Sequence, residues 1–448
     1  MSIPIIDDIA KARATILRRV PLDEVVVPQH VLDGIAALFG EPLRPAEAVE
    51  RIIKDVRTRG DAALHEWTQR LDKATLENIE VSPERMTESA ATLEHEVLSA
   101  MSMMTHELEN FHRHQMRNSW VDFHVEGTRG QIVRPLHRIG IYVPGGAAPL
   151  PSSLLHAAIP ARIAGVQEIV VCSPPQGGKN EPSEVVLAAA YFAEVEHVFA
   201  LGGAQAIAAM AYGTESVPRV DKIVGPGNLF VVLAKRAVYG SVGIESLPGP
   251  TETLVIADEY ANPVSVAADL LAQAEHVLAS AILVTPSAML AKAVQEECDR
   301  QLQQLPAANR QAASEALEQR GGIVLVSDLE IALDVANGYA PEHLCLLLED
   351  PWAYVGHIRN AGGIFLGERS FEVLGDYTAG PSHIMPTGGT ARYASPVNVD
   401  DFRKVISLVG LNQQGLERIG PSAMKLAEAE GLFAHAAAVR ARIAHNEE

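Results

Sequence analysis

From about residue 139 onward, short apolar runs bounded by Gly and Pro alternate with Ala-rich stretches of helical composition, and this rhythm restricts the fold of the 448-residue chain most. The runs IGIYV, EIVVCSPP, VEHVFAL and KIVGPG read as strands, and SLLHAAIPARIAG, EVVLAAAYFAE and AQAIAAMAYG read as the helices between them. Strand, helix, strand in this rhythm argues a parallel sheet with crossover helices, because a parallel neighbour is reached only by a long crossover connection. A second series, ETLVIAD, SAILVTP, GGIVLVSD, EHLCLLL and GGIFLG, follows the Pro/Gly cluster LPGPTE at 247–252, which marks an internal boundary. Two α/β units follow from this, a smaller and a larger one. Residues 1 to about 130 read as mostly helical, with apolar positions at three- and four-residue spacing in PAEAVERIIKDVRTRGDAALHEWTQRLD, and the larger unit is expected to recruit them.

Composition agrees with that class and excludes others. The chain is 48% hydrophobic but only 5% aromatic, and its Ala, Leu, Val and Gly content suits helices packed on parallel strands. A net charge of −20, without any basic run, argues against a nucleic-acid partner. Three scattered cysteines, Cys172, Cys298 and Cys345, form no CxxC pair and fit a reducing cytoplasm. The first twenty residues lack the uninterrupted apolar core of a signal peptide, and no apolar run reaches about 18 residues, so a cytoplasmic protein with no membrane partner is expected.

Three segments place glycines between a strand and a helix: YVPGGAAPLPSS at 142–153, LGGAQAIA at 201–208 and GPGNLF at 225–230. None is the GxGxxG fingerprint, yet each brings backbone and helix N-terminal N–H groups within reach of a phosphate. The candidate chemistry lies elsewhere. Gln273 and His276 in LLAQAEHVLAS are three residues apart, so on a helix their Cβ atoms would stand roughly 5–6 Å from one another; Glu275 points away. PEHL presents Glu342 and His343 at the entry of a strand, where neighbouring side chains leave on opposite sides. Asp376 and His383 occupy a Gly-rich stretch, and Glu430 and His435 the C-terminal tail. Gln273, His276, Asp376 and His435 would combine two imidazoles with two oxygen donors, a set suited to zinc, if they converge.

The segments GIYVPGG, PARIAG, GGAQAIAAMAYG, KIVGPGN, GPTE, QAEH, PEHL, GDYTAG, HIMPTGGTAR and FAH occur in the order and spacing of a known family, and the chain resembles histidinol dehydrogenase from about residue 59 to its tail. The resemblance implies an enzyme that uses NAD and zinc to oxidise L-histidinol through histidinal to L-histidine, the last two steps of histidine biosynthesis. It implies zinc ligands at Gln273, His276, Asp376 and His435, and a proton-transfer pair at Glu342 and His343. NAD contacts would fall on Tyr142, Gln205 and Asn228, and substrate contacts on Thr251, Gln273, His276, His343, Asp376, His383, Glu430 and His435. Many members carry Ser at the position of Thr251. The family is a homodimer whose C-terminal segment completes the partner's site, so Glu430 and His435 would act in trans.

The expected fold is α/β: two Rossmann-like parallel-sheet units in an aldehyde-dehydrogenase-like arrangement, with helical N- and C-terminal extensions. In numbers this gives an N-terminal helical extension over 1–35, the larger α/β domain over 36–142 and 251–397, a smaller NAD-binding domain over 143–250, and a helical tail over 398–448. Two other readings stand beside the main one: a family dehydrogenase acting on another small alcohol such as sulfopropanediol, and a zinc hydrolase in which Glu342 activates water.

Overall fold

Every residue of the strand Glu252–Ala257 is buried, as befits the centre of a parallel sheet with both faces covered. The computed structural model describes residues 3–20, 24, 27–145, 149–176, 178–276 and 278–444. Contacts divide the chain into one unit of Met1–Gln115 with His137–Phe402 and a second of Met116–Leu136 with Arg403–Glu448, and each is described by itself.

Within the first unit the larger sheet runs, in spatial order, Ile5–Ile6, Gly322–Leu325, Ser280–Thr285, Glu252–Ala257, His343–Leu347 and Gly363–Leu366. All its pairings are parallel. After Glu252–Ala257 the chain builds outward through Ser280–Thr285 to Gly322–Leu325, then crosses to the opposite side. The sheet order therefore reverses between Glu252–Ala257 and His343–Leu347. Alternate residues feed two cores: Val255, Leu283, Ile323 and Cys345 face one, and Leu254, Ile282, Val324 and Leu344 the other.

The smaller sheet repeats the plan. Its order is Glu80–Val81, His197–Ala200, Glu168–Ser173, Arg138–Tyr142, Lys222–Val224 and Gly243–Ile244, parallel except for the first pair. Its reversal lies between Arg138–Tyr142 and Lys222–Val224. The expectation of two Rossmann-like parallel sheets thus holds, with an edge strand from the N-terminal third added to each.

Two boundaries differ from expectation. Residues 36–142 are not the first part of the larger unit. Val49, Ile52, Ile53 and Val56 of the helix Pro45–Arg59, with Leu64 and Trp67 of the next helix, pack with Tyr142, Val170 and Phe199 of the smaller sheet. Full burial of one such aliphatic side chain contributes about 1.5–3 kcal/mol. Periodicity identifies the apolar face of a helix and not the sheet it will meet. The smaller sheet also begins before residue 143, since Arg138–Tyr142 is its central strand.

The N-terminal extension is only partly helical. Ile5–Ile6 pairs with Gly322–Leu325 as an edge strand, and Asp8 caps the helix Ile9–Ala14. The second unit holds an antiparallel sheet in the order Arg403–Leu411, Gly127–Pro135, Trp120–His124, followed by helices Gln413–Ala429 and Phe433–Ala444. The tail therefore opens on a strand, and the stretch before residue 136 carries two more that the helical reading missed. Among the described residues no helix is long and apolar enough to cross a membrane.

Candidate active site

Glu342 and His343, the candidate proton-transfer pair, stand where strands of the larger sheet begin, opposite the carboxyl ends at which open α/β sheets ordinarily take ligands. The helix Leu329–Tyr339 ends at Ala340, which takes a left-handed φ of 54°. Pro341 follows, and His343 opens the next strand in register with Thr253. Gly362 donates to Pro341 O at 2.9 Å and Gly363 to Glu342 O at 2.8 Å. A side chain at position 362 would meet Glu342 O at 2.6 Å, so the strand beside the pair needs glycine there.

Glu342 is 6% exposed. Its Oε2 accepts from Thr251 Oγ1 at 2.6 Å and from Glu252 N at 2.9 Å. Burial pushes its carboxyl up to about 7, against the opposing pull of His343 and Thr251. His343 Nδ1 lies 3.1 Å from Glu252 O. A carbonyl only accepts, so Nδ1 carries the hydrogen and Nε2 is the nitrogen left for chemistry. Buried Nε2 has no hydrogen-bond partner and stands 3.6 Å from Asp376 Oδ1. Adjacent in sequence, the two side chains remain close, with His343 Nδ1 at 3.8 Å from Glu342 Oε2.

The surrounding carboxylates favour the charged form of the His343 ring. Burial presses the His343 pKa down, but the Glu342 and Asp376 carboxylates more than offset it and hold it at about 10. For Asp376 burial acts upward, yet His343, His383 and His276 together hold the carboxyl below its usual value.

Around these two lie the other candidates. Gln273 ends the helix Pro263–Ala274 and is 3% exposed. With its amide oriented so that Nε2 donates to Glu372 Oε1 at 3.1 Å, its oxygen meets Glu252 N at 3.2 Å and the Thr251 hydroxyl at 2.5 Å. His276 lies past the helix end, exposed, its N–H donating to Gln273 O at 3.2 Å. The two therefore do not share a helical face, although His276 still acts on the Asp376 carboxyl. Glu275 points elsewhere, accepting from Asn309 Nδ2 at 2.9 Å.

His383 is engaged at both ring nitrogens, Nδ1 with Asp376 O at 2.9 Å and Nε2 with Ser153 Oγ at 3.0 Å. His156 stacks on it with centroids 4.1 Å apart and also reaches Asp376 O, at 3.0 Å. Because Asp376 O only accepts, both rings donate to it, and the Ser153 hydroxyl donates to His383 Nε2. Glu430 and His435 belong to the second unit, both exposed, at the end of Gln413–Ala429 and in the first turn of Phe433–Ala444.

Among the described residues no three His, Cys, Asp or Glu side chains cluster tightly enough to hold a metal alone. The expected set is of another kind, because Gln273 supplies an amide oxygen and His435 lies in the second unit. Gln273, His276 and Asp376 share one neighbourhood, and together they offer two oxygens and a nitrogen, a donor set that fits zinc.

The nucleotide candidates gather at the carboxyl ends of the smaller sheet, by its reversal point, where α/β sheets take dinucleotides. Tyr142 ends its strand, and its hydroxyl accepts from Gly203 N at 3.1 Å. Gly225 has a φ of 115° and abuts Tyr142 O so closely that no side chain could stand there. Asn228 caps the helix Leu229–Val238, accepting from Phe230 N and Val231 N. Gln205 is fully buried, and its Oε1 has no partner, an acceptor suited to ribose hydroxyls or a carboxamide N–H. These residues fit a dinucleotide. Residues 146–148 of the first glycine-flanked turn lie outside the described residues.

The family model for histidinol dehydrogenase matches residues 43–443. The chain belongs to the histidinol dehydrogenase family. Histidinol dehydrogenase of Deinococcus radiodurans is 54% identical over 434 residues, covering 97% of this chain and 98% of its own. That of Thermus thermophilus is 50% identical over 391 residues, covering 87% and 92%. The crystal structure of histidinol dehydrogenase from Elizabethkingia anophelis superposes with a TM-score of 0.89 at 35% identity, covering 100% of this chain and 99% of that one. As a member of the histidinol dehydrogenase family the chain is an oxidoreductase.

Several residues of this site had a signal in the sequence that went unused. Glu372 precedes Asp376 by four residues, one helical turn on the same face, and His156 is a polar ring within the run LLHAAIPA, apolar on both sides. Glu252 closes the Pro/Gly cluster LPGPTE, whose turn signal masks it. Asp72, whose carboxyl burial pushes up to about 6, approaches Gln205 Nε2 at 3.4 Å and gave no signal.

Proposed function

We propose that this chain oxidises L-histidinol through L-histidinal to L-histidine, passing two hydrides to NAD, with zinc bound at Gln273, His276, Asp376 and the partner subunit's His435. The support for the substrate is the likeness to histidinol dehydrogenases at 50% and 54% identity. The observation that carries the chemistry is the buried pair: a carboxyl poised near neutrality on Thr251 and Glu252, beside an imidazole whose tautomer Glu252 O fixes.

Held at those residues, zinc would supply positive charge that orients the substrate and offsets the Asp376 charge acting on His343. NAD supplies the hydride acceptor. His343 Nε2 then accepts the proton of the alcohol as its carbon gives up hydride. Glu342, as carboxylate, takes a proton from water whose oxygen adds to the aldehyde carbon, while the carbonyl oxygen takes up the proton held by His343, giving the hydrate and restoring His343 as a base. His343 deprotonates that hydrate in the second oxidation. Tyr142, Gln205 and Asn228 hold the dinucleotide, while Thr251, His383 and the partner subunit's Glu430 line the substrate site.

A homodimer in the cytoplasm is part of the same reading. Its support is the second unit's exposed apolar side chains, Phe123, Val125, Val409 and Phe433 at 69–78% exposure, a pattern that marks an association surface. The deciding experiment is an NADH-release assay with L-histidinol, with and without a chelator. Two NADH per alcohol, abolished by chelation and restored by zinc, is expected. One NADH per alcohol contradicts the two-step scheme, activity on sulfopropanediol in preference to histidinol changes the substrate, and hydrolysis without nicotinamide overturns the reading.

A further inference from the structure

Arg19 lies outside residues 43–443, the stretch matched by the family model, yet its guanidinium reaches the backbone that carries the acid/base pair. Nε donates to Tyr339 O at 3.0 Å, and Nη2 to Tyr339 O at 2.5 Å and Ala340 O at 3.1 Å. Nη1 pairs with Glu252 Oε1. The plane also lies over the Tyr339 ring, 3.5 Å from its centroid.

These partners stand directly behind the chemistry. Tyr339 and Ala340 are the last residues before Pro341, Glu342 and His343, and Arg19 satisfies carbonyls that the end of their helix leaves open. Glu252 is the residue whose N–H holds Glu342 and whose carbonyl holds His343. One side chain therefore ties the loop that presents the pair to the strand that orients it. Only an arginine does this, because its planar fork donates in several fixed directions while stacking on a ring, and a lysine ammonium does neither. The segment that delivers it is anchored on both sides of the helix Ile9–Ala14: Ile6 lies in the core of the larger sheet, and Ile16 and Leu17 pack against that core.

We propose that Arg19 is a positioning residue for the Glu342–His343 pair, supplied by an N-terminal segment that is part of the active-site scaffold. The inference rests on reading that pair as the proton-transfer groups. A purely structural anchor would alter stability and leave turnover per folded molecule unchanged. A positioning residue alters kcat, since displacing catalytic groups by about 1 Å costs on the order of a hundredfold.

The test uses the full chain with zinc and NAD, and compares Arg19→Met, Arg19→Lys and the control Asp8→Ala, which loosens the helix cap of the same segment without touching Glu252. Expected for Arg19→Met is a kcat lower by roughly ten- to a hundredfold, an unchanged KM for NAD, partial recovery by added guanidinium ion, and faster amide hydrogen exchange over residues 338–345. Asp8→Ala should keep kcat, and Arg19→Lys should recover only part of it. Full kcat in Arg19→Met with unchanged exchange over 338–345 overturns the proposal while leaving the function intact. Should the parent enzyme produce no NADH from histidinol, the proposed function fails, and unchanged exchange in Arg19→Met still decides against Arg19. Were Arg19→Met unable to fold, a kcat for Arg19→Lys equal to the parent's would overturn it.

Discussion

The Thr251 hydroxyl lies 2.6 Å from Glu342 Oε2 and 2.5 Å from the side-chain amide of Gln273. One small group thereby touches both the carboxyl proposed to activate water and a proposed metal ligand. A hydroxyl has one hydrogen to give, so the two neighbours compete for it.

Replacing Thr251 by Val keeps the shape and removes that hydrogen, whereas Ser keeps it. A hydrogen bond to a charged group contributes about 1.5–3 kcal/mol, so Thr251→Val should slow aldehyde oxidation by roughly ten- to a hundredfold and move its pH dependence upward. Thr251→Ser should stay near the parent. Rates measured on histidinal across pH check this, and equal losses in the two variants would argue against a role for the hydroxyl.

Glu342 and His343 should separate the two oxidations. Glu342→Gln is expected to impair the aldehyde step alone, and His343→Gln both steps, each by about 10²–10⁴-fold. Single-turnover measurements with histidinol and with histidinal distinguish them. A Glu342→Gln enzyme equally slow on the alcohol would contradict the assignment of water activation to that carboxyl.

Stability should fall as pH rises from about 4 to about 7. Burial, with the Glu368 charge adding to it, pushes the Asp269 carboxyl from 3.8 up to about 7. A raised carboxyl binds its proton more tightly in the folded chain, so its contribution is complete below about pH 4 and is lost by about pH 7. Asp269→Asn removes the titration. It should raise the melting temperature at pH 8 relative to the parent, by up to about 4 kcal/mol in stability, with little change at pH 4. Parallel melting curves for the two proteins would reject the idea.

Lys235 and Glu245 form a fully buried pair at 2.6 Å. Together they hold both sides of Gly225, whose N–H donates to Glu245 Oε1 at 2.9 Å and whose carbonyl accepts from Lys235 Nζ at 3.1 Å. Burial presses the Lys235 pKa down despite the Glu245 charge. Lys235→Met strands a carboxylate in the interior and should cost about 3–5 kcal/mol by chemical denaturation. Adding Glu245→Gln should return much of that loss, and a double variant as unstable as the single one would refute the pairing argument.

Much of the fold was legible because the parallel strands are apolar throughout and their crossovers are punctuated by Gly and Pro. The strand Arg403–Leu411 was not. Its side chains are mostly exposed, so RKVISLVGL lacks the contrast between a dry and a wet face that marks a half-buried strand. The site divides the same way. Glu342, His343, Gln273 and Asp376 stood out as polar residues in apolar or Gly-rich surroundings, and the structure brings them together. Arg19 could not be found this way, because its role comes from a contact with Glu252, 233 residues away. The charge state of His343 is not written in its motif either: PEHL identifies the ring, while the surrounding carboxylates determine how tightly it keeps a proton.

The larger sheet carries its candidate site where its strands start, and at its other rim Asp258 ties two loops together by accepting from Tyr260 N at 3.0 Å and Glu349 N at 2.8 Å. On the proposed function that rim carries no catalytic side chain. Loops there can lengthen, shorten or change character between relatives at little cost to turnover, and a reporter dye or affinity handle grafted beside exposed Tyr260 would ride on the enzyme as a passenger.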